Sequence, residues 1–310
     1  MLIRVAENLY WIGRYIERTE HISRFQKVQF YSTMDSVMSR NKDFALRSIL
    51  FMSGTEFDLH QPLNENEVWK KVIFDANNPN SIFNVIKSAR ENARSIKNSI
   101  SSELWESINK LYLHCKNLDS FAFTSSDIHT FSEDIASHIA VIKSNVTNTM
   151  MHHDNWHFLS LGIFVERGLQ VLRIMKNKIS DWVILSDNGV NTALMQYQWT
   201  ILLKSLECFD VHNNYYRGLR SKQSIFKLIL SNGLFPRSIK YTGDKIHFHL
   251  TNISVKPDHY TQGMEFIDAS LKQCLDFKNY EDEEEVVSQV SEAYDCISDI
   301  HTQIKEMYFK

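Results

Sequence analysis

The sequence predicts an all-α fold, and three observations support that prediction. Only 9 Gly and 4 Pro occur in 310 residues, which is too few for a protein built of strands and tight turns. Apolar residues recur at three- and four-residue spacing over long stretches, as on the buried face of a helix. Ser, Asp and Asn stand before several of these stretches, where they can cap a helix. With 43% hydrophobic residues, the chain can bury a core as one domain over 1–310 or as two pseudo-repeated halves, about 1–150 and 151–310.

Composition also narrows the classes of function and location. The net charge of −3 and a pI near 6.5 argue against a nucleic-acid-binding protein, which normally carries a strongly basic face. No window approaches about 18 uncharged apolar residues, so we expect no membrane partner. The four cysteines are widely spaced without a Cys-x-x-Cys pair, as is usual for reduced thiols, and charges interrupt any leader-like N-terminal stretch. We therefore expect a cytoplasmic location.

The first helix is predicted to run from the start of the chain to about residue 32. Its apolar stripe consists of Leu2, Val5, Leu9, Ile12 and Ile16. One further turn brings this face to Glu20, with Glu17 and Arg24 on its shoulder. Desolvating a lone charge costs several kcal/mol, so carboxylates that point toward a core must be paired or protonated. The group is either a structural ion-pair cluster or a functional site.

The opposite face of the first helix is predicted to be charged and solvated. It carries Arg4, Glu7, Trp11, Arg14 and Arg18 at spacings of three and four residues. Ion pairs along a solvated helix are the simplest interpretation. Trp11 is unusual in the middle of such a stripe, so we expect it to contact other helices or a partner protein.

The first helix has an echo 149 residues later in the chain. Residues 158–173 align with residues 9–24 without a gap, matching Gly13 with Gly162, Glu17 with Glu166, Arg18 with Arg167, and Arg24 with Arg173. We interpret this as an internal duplication. If the halves pack about a pseudo-twofold axis, the glycines let the backbones approach, and Glu17 and Glu166 meet with Arg24 and Arg173 as counter-charges. The echo is imperfect at Arg14 and Glu20, so any site would be asymmetric.

The remaining segments also have helical patterns. Helices are predicted over 43–52, 65–74, 82–100, about 102–116, about 126–150, 191–209, 215–230, 264–279 and 286–307. Ser81 and Asp154 are expected N-caps, Phe235 to Ser238 is expected to begin a helix with Pro236 in its first turn, and 239–253 fits either a helix or a strand. Arg90 and Arg94 lie one turn apart and suit a carboxylate or phosphate ligand, although pairing with Glu from a neighbouring helix is the simpler role. His153 and His157 could share a helix face toward a metal, but the capping role of Asp154 leads us to expect no metal site.

Several motifs resemble one bacterial family in order along nearly the whole chain. They are Arg4 to Glu20 (RVAENLYWIGRYIERTE), Ala89 to Arg94 (ARENAR), Leu161 to Arg167 (LGIFVER) and Phe235 to Ser238 (FPRS). The chain thus resembles the alpha-E domain family. The resemblance implies an all-helical fold and association with an ATP-grasp-type peptide ligase and often a transglutaminase-like protease, without a settled activity. It favours a helix at 239–253.

The chain lacks the phosphate-loop, dinucleotide-binding and serine-elbow motifs of common enzymes. Whether it is an enzyme stays open, and we expect no cofactor. Candidate catalytic carboxylates are Glu17, Glu20 and Glu166; charge-cluster or ligand candidates are Glu7, Arg14, Arg18, Arg24, Arg90, Arg94, Arg167, Arg173 and Arg237. Three functions are consistent with the pattern: an accessory component that binds a ligase or a peptide, an enzyme acting on amide or peptide bonds, and a structural scaffold.

Overall fold

The computed structural model describes residues 2–34, 42–55, 62–187, 192–218, 221–280 and 282–310. Every regular element in these ranges is helical, which confirms the predicted fold class. The helices are α1 (Ile3–Met34), α2 (Lys42–Met52), α3 (Glu65–Phe74), α4 (Ile82–Ser95), α5 (Ser102–Lys116), α6 (Ile128–Asn148), α7 (Asp154–Asp187), α8 (Thr192–Ser205), α9 (Phe209–Tyr215), α10 (Lys222–Phe226), α11 (Ile239–Asn252), α12 (Tyr260–Cys274) and α13 (Glu283–Tyr308).

These helices form two compact units whose boundaries fall inside α1 and α7. Unit 1 comprises Met1–Arg14, Met151–Lys176 and Leu206–Lys310, and unit 2 comprises Tyr15–Met150 and Asn177–Ser205. Both α1 and α7 therefore contribute their first part to unit 1 and their remainder to unit 2. The expectation of one domain or two pseudo-repeated halves stays a prediction.

Serine residues cap three helix starts, and the cap at Ser81 confirms the prediction made for it. Ser81, Ser101 and Ser238 each accept a hydrogen bond from the backbone N–H three residues on, which satisfies one donor of the first turn. The expectation for Asp154 was wrong in detail. It is the first residue of α7, and its carboxylate accepts hydrogen bonds from the backbone N–H and hydroxyl of Ser254 at 2.7 and 2.6 Å.

In unit 2, α5 packs against both α4 and α6, and α3 packs against α2 and α4. The predicted apolar stripe of α4 is buried through Ile82, Ile86, Ala89, Ala93 and Ile96. This burial, rather than helix propensity alone, stabilises a helix of this length.

In unit 1, α12 packs against α11 and α13. The ambiguous segment 239–253 is helical as α11, and the helical set of positions is buried through Ile239, Thr242, Ile246 and Leu250. The alternating residue Phe248, which a strand would also have buried, is exposed. The family resemblance therefore indicated the correct alternative.

Within unit 1, α1 and α7 come into backbone contact at Gly13 and Gly162. A Cβ atom added to Gly13 would overlap the carbonyl oxygen of Leu159, and one added to Gly162 would overlap that of Tyr10. Tyr10 and Leu159 are themselves related by the 149-residue offset, so the two contacts are reciprocal. The predicted close approach at this glycine pair is present.

Several local expectations were wrong. Leu2, placed on the apolar stripe, is 76% exposed because it precedes the first turn of α1. The helix predicted over 191–209 ends at Ser205, followed by Glu207 with φ of 52°; residue 191 lies outside the described residues. The helix predicted over 215–230 is interrupted because Arg217 and Gly218 have φ of 51° and 76°, which no α-helix can contain.

Candidate functional site

The first charged centre surrounds Glu166 on α7, in unit 1. Arg14 Nε donates to Glu166 Oε2 at 2.7 Å, and Gln170 Nε2 donates to Glu166 Oε1 at 2.7 Å. All three side chains are buried. A carboxylate taken out of water is stable only when such donors replace its hydration, so this centre is a charge-compensated part of the core.

Arg14 is the cation of this centre. Burial acts to lower its pKa, but the opposing influence of Glu166 and Tyr10 is stronger, and the pKa is raised, so the guanidinium stays charged. The guanidinium carbon of Arg14 lies 5.0 Å from the centre of the Trp11 ring, which also has edge-on contacts with the rings of Tyr10 and His301. Arg14 Nη1 is buried without a hydrogen-bond partner within the described residues.

The prediction that Arg14 lies on a solvated face was wrong. Arg14 adjoins Gly13, where α7 approaches most closely, so a side of α1 that would otherwise face water is covered. The rest of that predicted face agrees better with expectation, since Arg4 is exposed and Glu7, Trp11 and Arg18 are partly exposed.

The second charged centre surrounds Glu17 on α1, in unit 2. Lys143 Nζ from α6 lies 2.6 Å from Glu17 Oε2, and His21 Nε2 donates to Glu17 Oε1 at 3.2 Å. Glu17 and His21 have no exposed side-chain surface, whereas 25% of the Lys143 side chain is exposed. The carboxylate is buried and its cation reaches it from the edge.

Glu20 and Arg24 form the outer edge of this second centre. Lys143 also pairs with Glu20, and Arg24 Nη1 lies 3.2 Å from Glu20 Oε1. Arg24 Nε further donates to the carbonyl of Ser205 at 2.9 Å. Glu20 is 15% exposed in its side chain, so it is the most accessible of the three candidate carboxylates.

The arginine that follows each buried glutamate reaches a helix start. Arg18 Nη1 donates to Asn80 Oδ1 at 3.0 Å, next to the N-cap Ser81 of α4. Arg167 Nη1 donates to the carbonyl of Pro236 at 3.1 Å, two residues before the N-cap Ser238 of α11. Each Glu-Arg pair therefore directs its carboxylate into the core and its guanidinium toward the start of another helix.

The Alpha-E family, described as a predicted alpha-helical domain with a conserved ER motif, matches residues 1–309. The chain belongs to the Alpha-E family. Its two Glu-Arg dipeptides, at 17–18 and 166–167, are the centres just described. No curated protein and no solved structure matches this Alpha-E chain.

The other arginines predicted for the site lie elsewhere in the Alpha-E structure. Arg173 donates to the hydroxyl of Tyr294 at 3.0 Å. Arg237 pairs with Glu207. Arg90 and Arg94 both pair with Glu91 of their own helix, whereas a glutamate of a neighbouring helix was expected.

The hypothesis that Glu17 meets Glu166 stays a prediction, because the two residues belong to different units. The counter-charges proposed with it can be compared with the contacts inside each unit. Arg24 lies against Glu20, and Arg173 against Tyr294, whereas Arg14 and Lys143 are the cations beside Glu166 and Glu17.

Sequence reasoning missed His21, Gln170 and Lys143. His21 and Gln170 each lie four residues after a Glu-Arg glutamate, and they match under the 149-residue offset. That i,i+4 spacing was a usable signal. Lys143 carried none, since it reaches Glu17 from a helix more than a hundred residues away.

No group of three His, Cys, Asp or Glu side chains suited to a metal occurs in the described ranges. His157, a metal candidate in the sequence, places its Nδ1 3.0 Å from Nδ1 of His249. Among those same residues of the Alpha-E chain, no helix is long and apolar enough to cross a membrane.

Proposed function

We propose that this Alpha-E chain is a non-catalytic binding component of an ATP-grasp-linked system that forms peptide or amide bonds. The partners we expect from the family resemblance are the ATP-grasp-type ligase, a transglutaminase-like protease, and a peptide that one of them handles. The observation that supports a non-catalytic role is the burial of Glu17 and Glu166, whose exposed fractions are 0% and 1%.

A general acid or base must come within hydrogen-bond reach of the substrate proton that it transfers. Glu17 and Glu166 instead contact protein donors on both carboxylate oxygens. To reach either carboxylate, a substrate would have to displace the buried Arg14 from Glu166, or Lys143, which reaches Glu17 from the edge. The geometry favours a role in holding helices together, with recognition left to the surface.

We also infer that the chain arose by internal duplication, and three features support this inference. The glycine contacts obey the 149-residue offset. Each buried glutamate accepts from the side chain four residues on. The chain also repeats Pro-x-Ser-Ile at 79–82 and 236–239, where the serine caps α4 or α11 and the arginine of a Glu-Arg pair contacts the residue one or two before it.

Helix lengths follow the same order in the two parts of the chain. The helices α4 and α11 each have 14 residues, and α5 and α12 each have 15. In unit 2, α5 packs between α4 and the longer helix α6. In unit 1, α12 packs between α11 and the longer helix α13. A duplicated framework whose charges have diverged, at Arg14 and Glu20, suits one partner rather than two symmetric ones.

The proposal is tested with the ligase encoded in the same genome. Purified ligase and the full chain are mixed at low salt, and complex formation is measured by analytical ultracentrifugation together with ATP-dependent product formation. We expect a saturable complex and a change in product yield or size. If no complex forms and the ligase makes the same product at the same rate, the proposal is wrong.

One observation favours an enzymatic alternative, namely the solvent access of Glu20 beside Lys143 and Arg24. If the chain itself cleaves or forms amide bonds, Glu20 is the carboxylate that can reach a substrate. Turnover of the ligase product by this chain alone, lost in Glu20→Gln and kept in the exposed control Glu103→Gln, would support this alternative over a binding role.

A further inference from the structure

A row of four cations runs along one side of α4, in unit 2. Lys87, Arg90, Arg94 and Lys97 follow one another at spacings of three, four and three residues, with Lys97 in the 3₁₀ turn just after the helix. At 1.5 Å per residue, this cationic stripe extends for roughly 15 Å. It runs beside the apolar stripe that buries the helix, so it stays at the surface.

Aromatic rings of α5 hold part of this stripe in place. The guanidinium carbon of Arg90 lies 4.8 Å from the centre of the Tyr112 ring and 5.9 Å from that of Trp105, and Lys97 Nζ lies 5.5 Å from the Trp105 ring. Arg90 Nε also donates to Asn109 Oδ1 at 3.1 Å. A cation that packs over an aromatic ring keeps its net positive charge and can still attract an anionic ligand, whereas a carboxylate partner neutralises that charge.

Carboxylates neutralise the stripe only partly. Glu91 pairs with Arg90 and Arg94. Lys87 and Lys97 are exposed and form no ion pair within the described residues. In the part of the chain that the structure describes, the four cations of the stripe therefore have one paired carboxylate, Glu91, on a chain whose net charge is −3.

The opposite side of α5 has the contrary character. It lines a groove of about 590 Å³ against α6, where Glu103, Glu106 and Asp134 outnumber Lys110. One side of α5 therefore packs against the cationic stripe of α4, whereas the groove on its other side, against α6, is mainly acidic. The helix dipole explains only Arg94, in the last turn of α4, because its influence fades within a turn of the helix end.

We propose that the cationic stripe docks an acidic segment of a partner protein, one that presents carboxylates at three- and four-residue spacing along a helix. Side chains so spaced lie about 5–6 Å apart, which matches the spacing of the cations. A single-stranded nucleic acid suits the surface less well. Such chains require aromatic platforms for their bases, and Trp105 and Tyr112 are partly buried and engaged with cations.

The probe is a labelled alanine-based helical peptide with four glutamates at the spacing of the stripe, titrated with the full chain at low salt and followed by fluorescence anisotropy. The test variant is Lys87→Glu with Lys97→Glu, two exposed positions whose reversal leaves the core intact. The matched control is Lys110→Glu with Lys272→Glu, which changes the net charge equally at exposed positions away from the stripe. Circular dichroism establishes that both variants are folded.

We expect the reversal on the stripe to weaken peptide binding about tenfold or more, and the control to change it by no more than about twofold. Physiological salt should weaken peptide binding to the parent, because the Debye length falls to about 8 Å and the attraction between exposed charges is then partly screened. Equal binding by the parent and the Lys87→Glu, Lys97→Glu variant, or equal loss in both variants, would overturn the proposal. So would equal binding of the matched glutamine peptide, or tighter binding of a single-stranded oligonucleotide that the stripe variant loses.

Discussion

Arg14 Nε lies 2.7 Å from Glu166 Oε2, and both side chains are buried. Attraction inside such a pair is offset by the desolvation of two charges, so its presence alone says little about net stability. What it does establish is a dependence. Neither residue can be lost without stranding the other's charge in the core.

Removing one member of this pair should therefore cost more than removing both. We expect Arg14→Met or Glu166→Leu alone to lower the free energy of unfolding by about 3–5 kcal/mol, because each leaves an uncompensated buried charge. The variant with both changes should recover most of that loss. Urea denaturation followed by tryptophan fluorescence measures all three.

The exposed pair Glu91 and Arg94 is the matched control, at 3.5 Å. The same substitutions there should change stability by less than about 1 kcal/mol, singly or together. A doubly substituted core variant whose loss equals the sum of the single losses would contradict the expected coupling.

The contact between Gly13 and Gly162 leaves no room for a methyl group. Gly13→Ala or Gly162→Ala should destabilise the protein by about 1–3 kcal/mol or more, since the added Cβ meets a backbone carbonyl that cannot rotate away. Gly233→Ala is the control, because its nearest neighbour to the added carbon is a lysine side chain at 3.8 Å. Thermal unfolding of the three variants compares them directly, and similar midpoints would argue against the close approach.

Lys143 should matter more than its partial exposure implies. Lys143→Met strands the fully buried Glu17, so we expect a loss of about 3–5 kcal/mol in the free energy of unfolding. Lys27→Met removes a lysine from an ion pair with Glu133 in which both side chains are well exposed, and should cost less than about 1 kcal/mol. Equal costs in chemical denaturation would show that Glu17 does not depend on Lys143.

Mild acid should destabilise the protein through the histidine pair on α7 and α11. Burial is the main cause that lowers the pKa of both His157 and His249, the latter to about 3. Between that value and the unfolded pKa near 6.5, the unfolded chain binds more protons than the folded one. The free energy of unfolding therefore falls as the pH drops below 6.5, by at most about 1.4 kcal/mol per pH unit for each histidine.

Urea denaturation at neutral pH and at about pH 5 measures this dependence. His249→Asn should flatten it, whereas His259→Asn, at an exposed position, should leave it as in the parent. A parent whose stability did not change across this range, or a His249→Asn variant with the full slope, would contradict the assignment.

Features with a local cause were predictable from the sequence. The stripe of α4 and the cap at Ser81 depend on residues within one or two turns of each other, so spacing alone identified them. The glycine contact was also predictable, because the echo at residues 158–173 preserved it. The break after Tyr215 was not, since left-handed backbone at Arg217 has no strong signature in a non-glycine residue.

The charged centres were predictable only in their glutamates. Burial of Glu17 and Glu166 follows from their position beside an apolar stripe. Their cations depend on which helices meet there, and that information lies in the tertiary packing. Arg14 looked solvated because a helical projection cannot show the arrival of α7, and Lys143 was one of many surface lysines.

The membership of the first fourteen residues in unit 1 has a consequence for synthesis. They are synthesised before the rest of their unit, which begins only at Met151, and the segment Tyr15–Met150 of unit 2 is made in between. The opening turns of α1 therefore lack their packing partners in unit 1 until about half the chain has been synthesised. Pairing across so long a separation is slow, because closing a long loop costs entropy before any contact compensates for it. A nascent chain of this protein should depend on chaperones for longer than its helical content suggests.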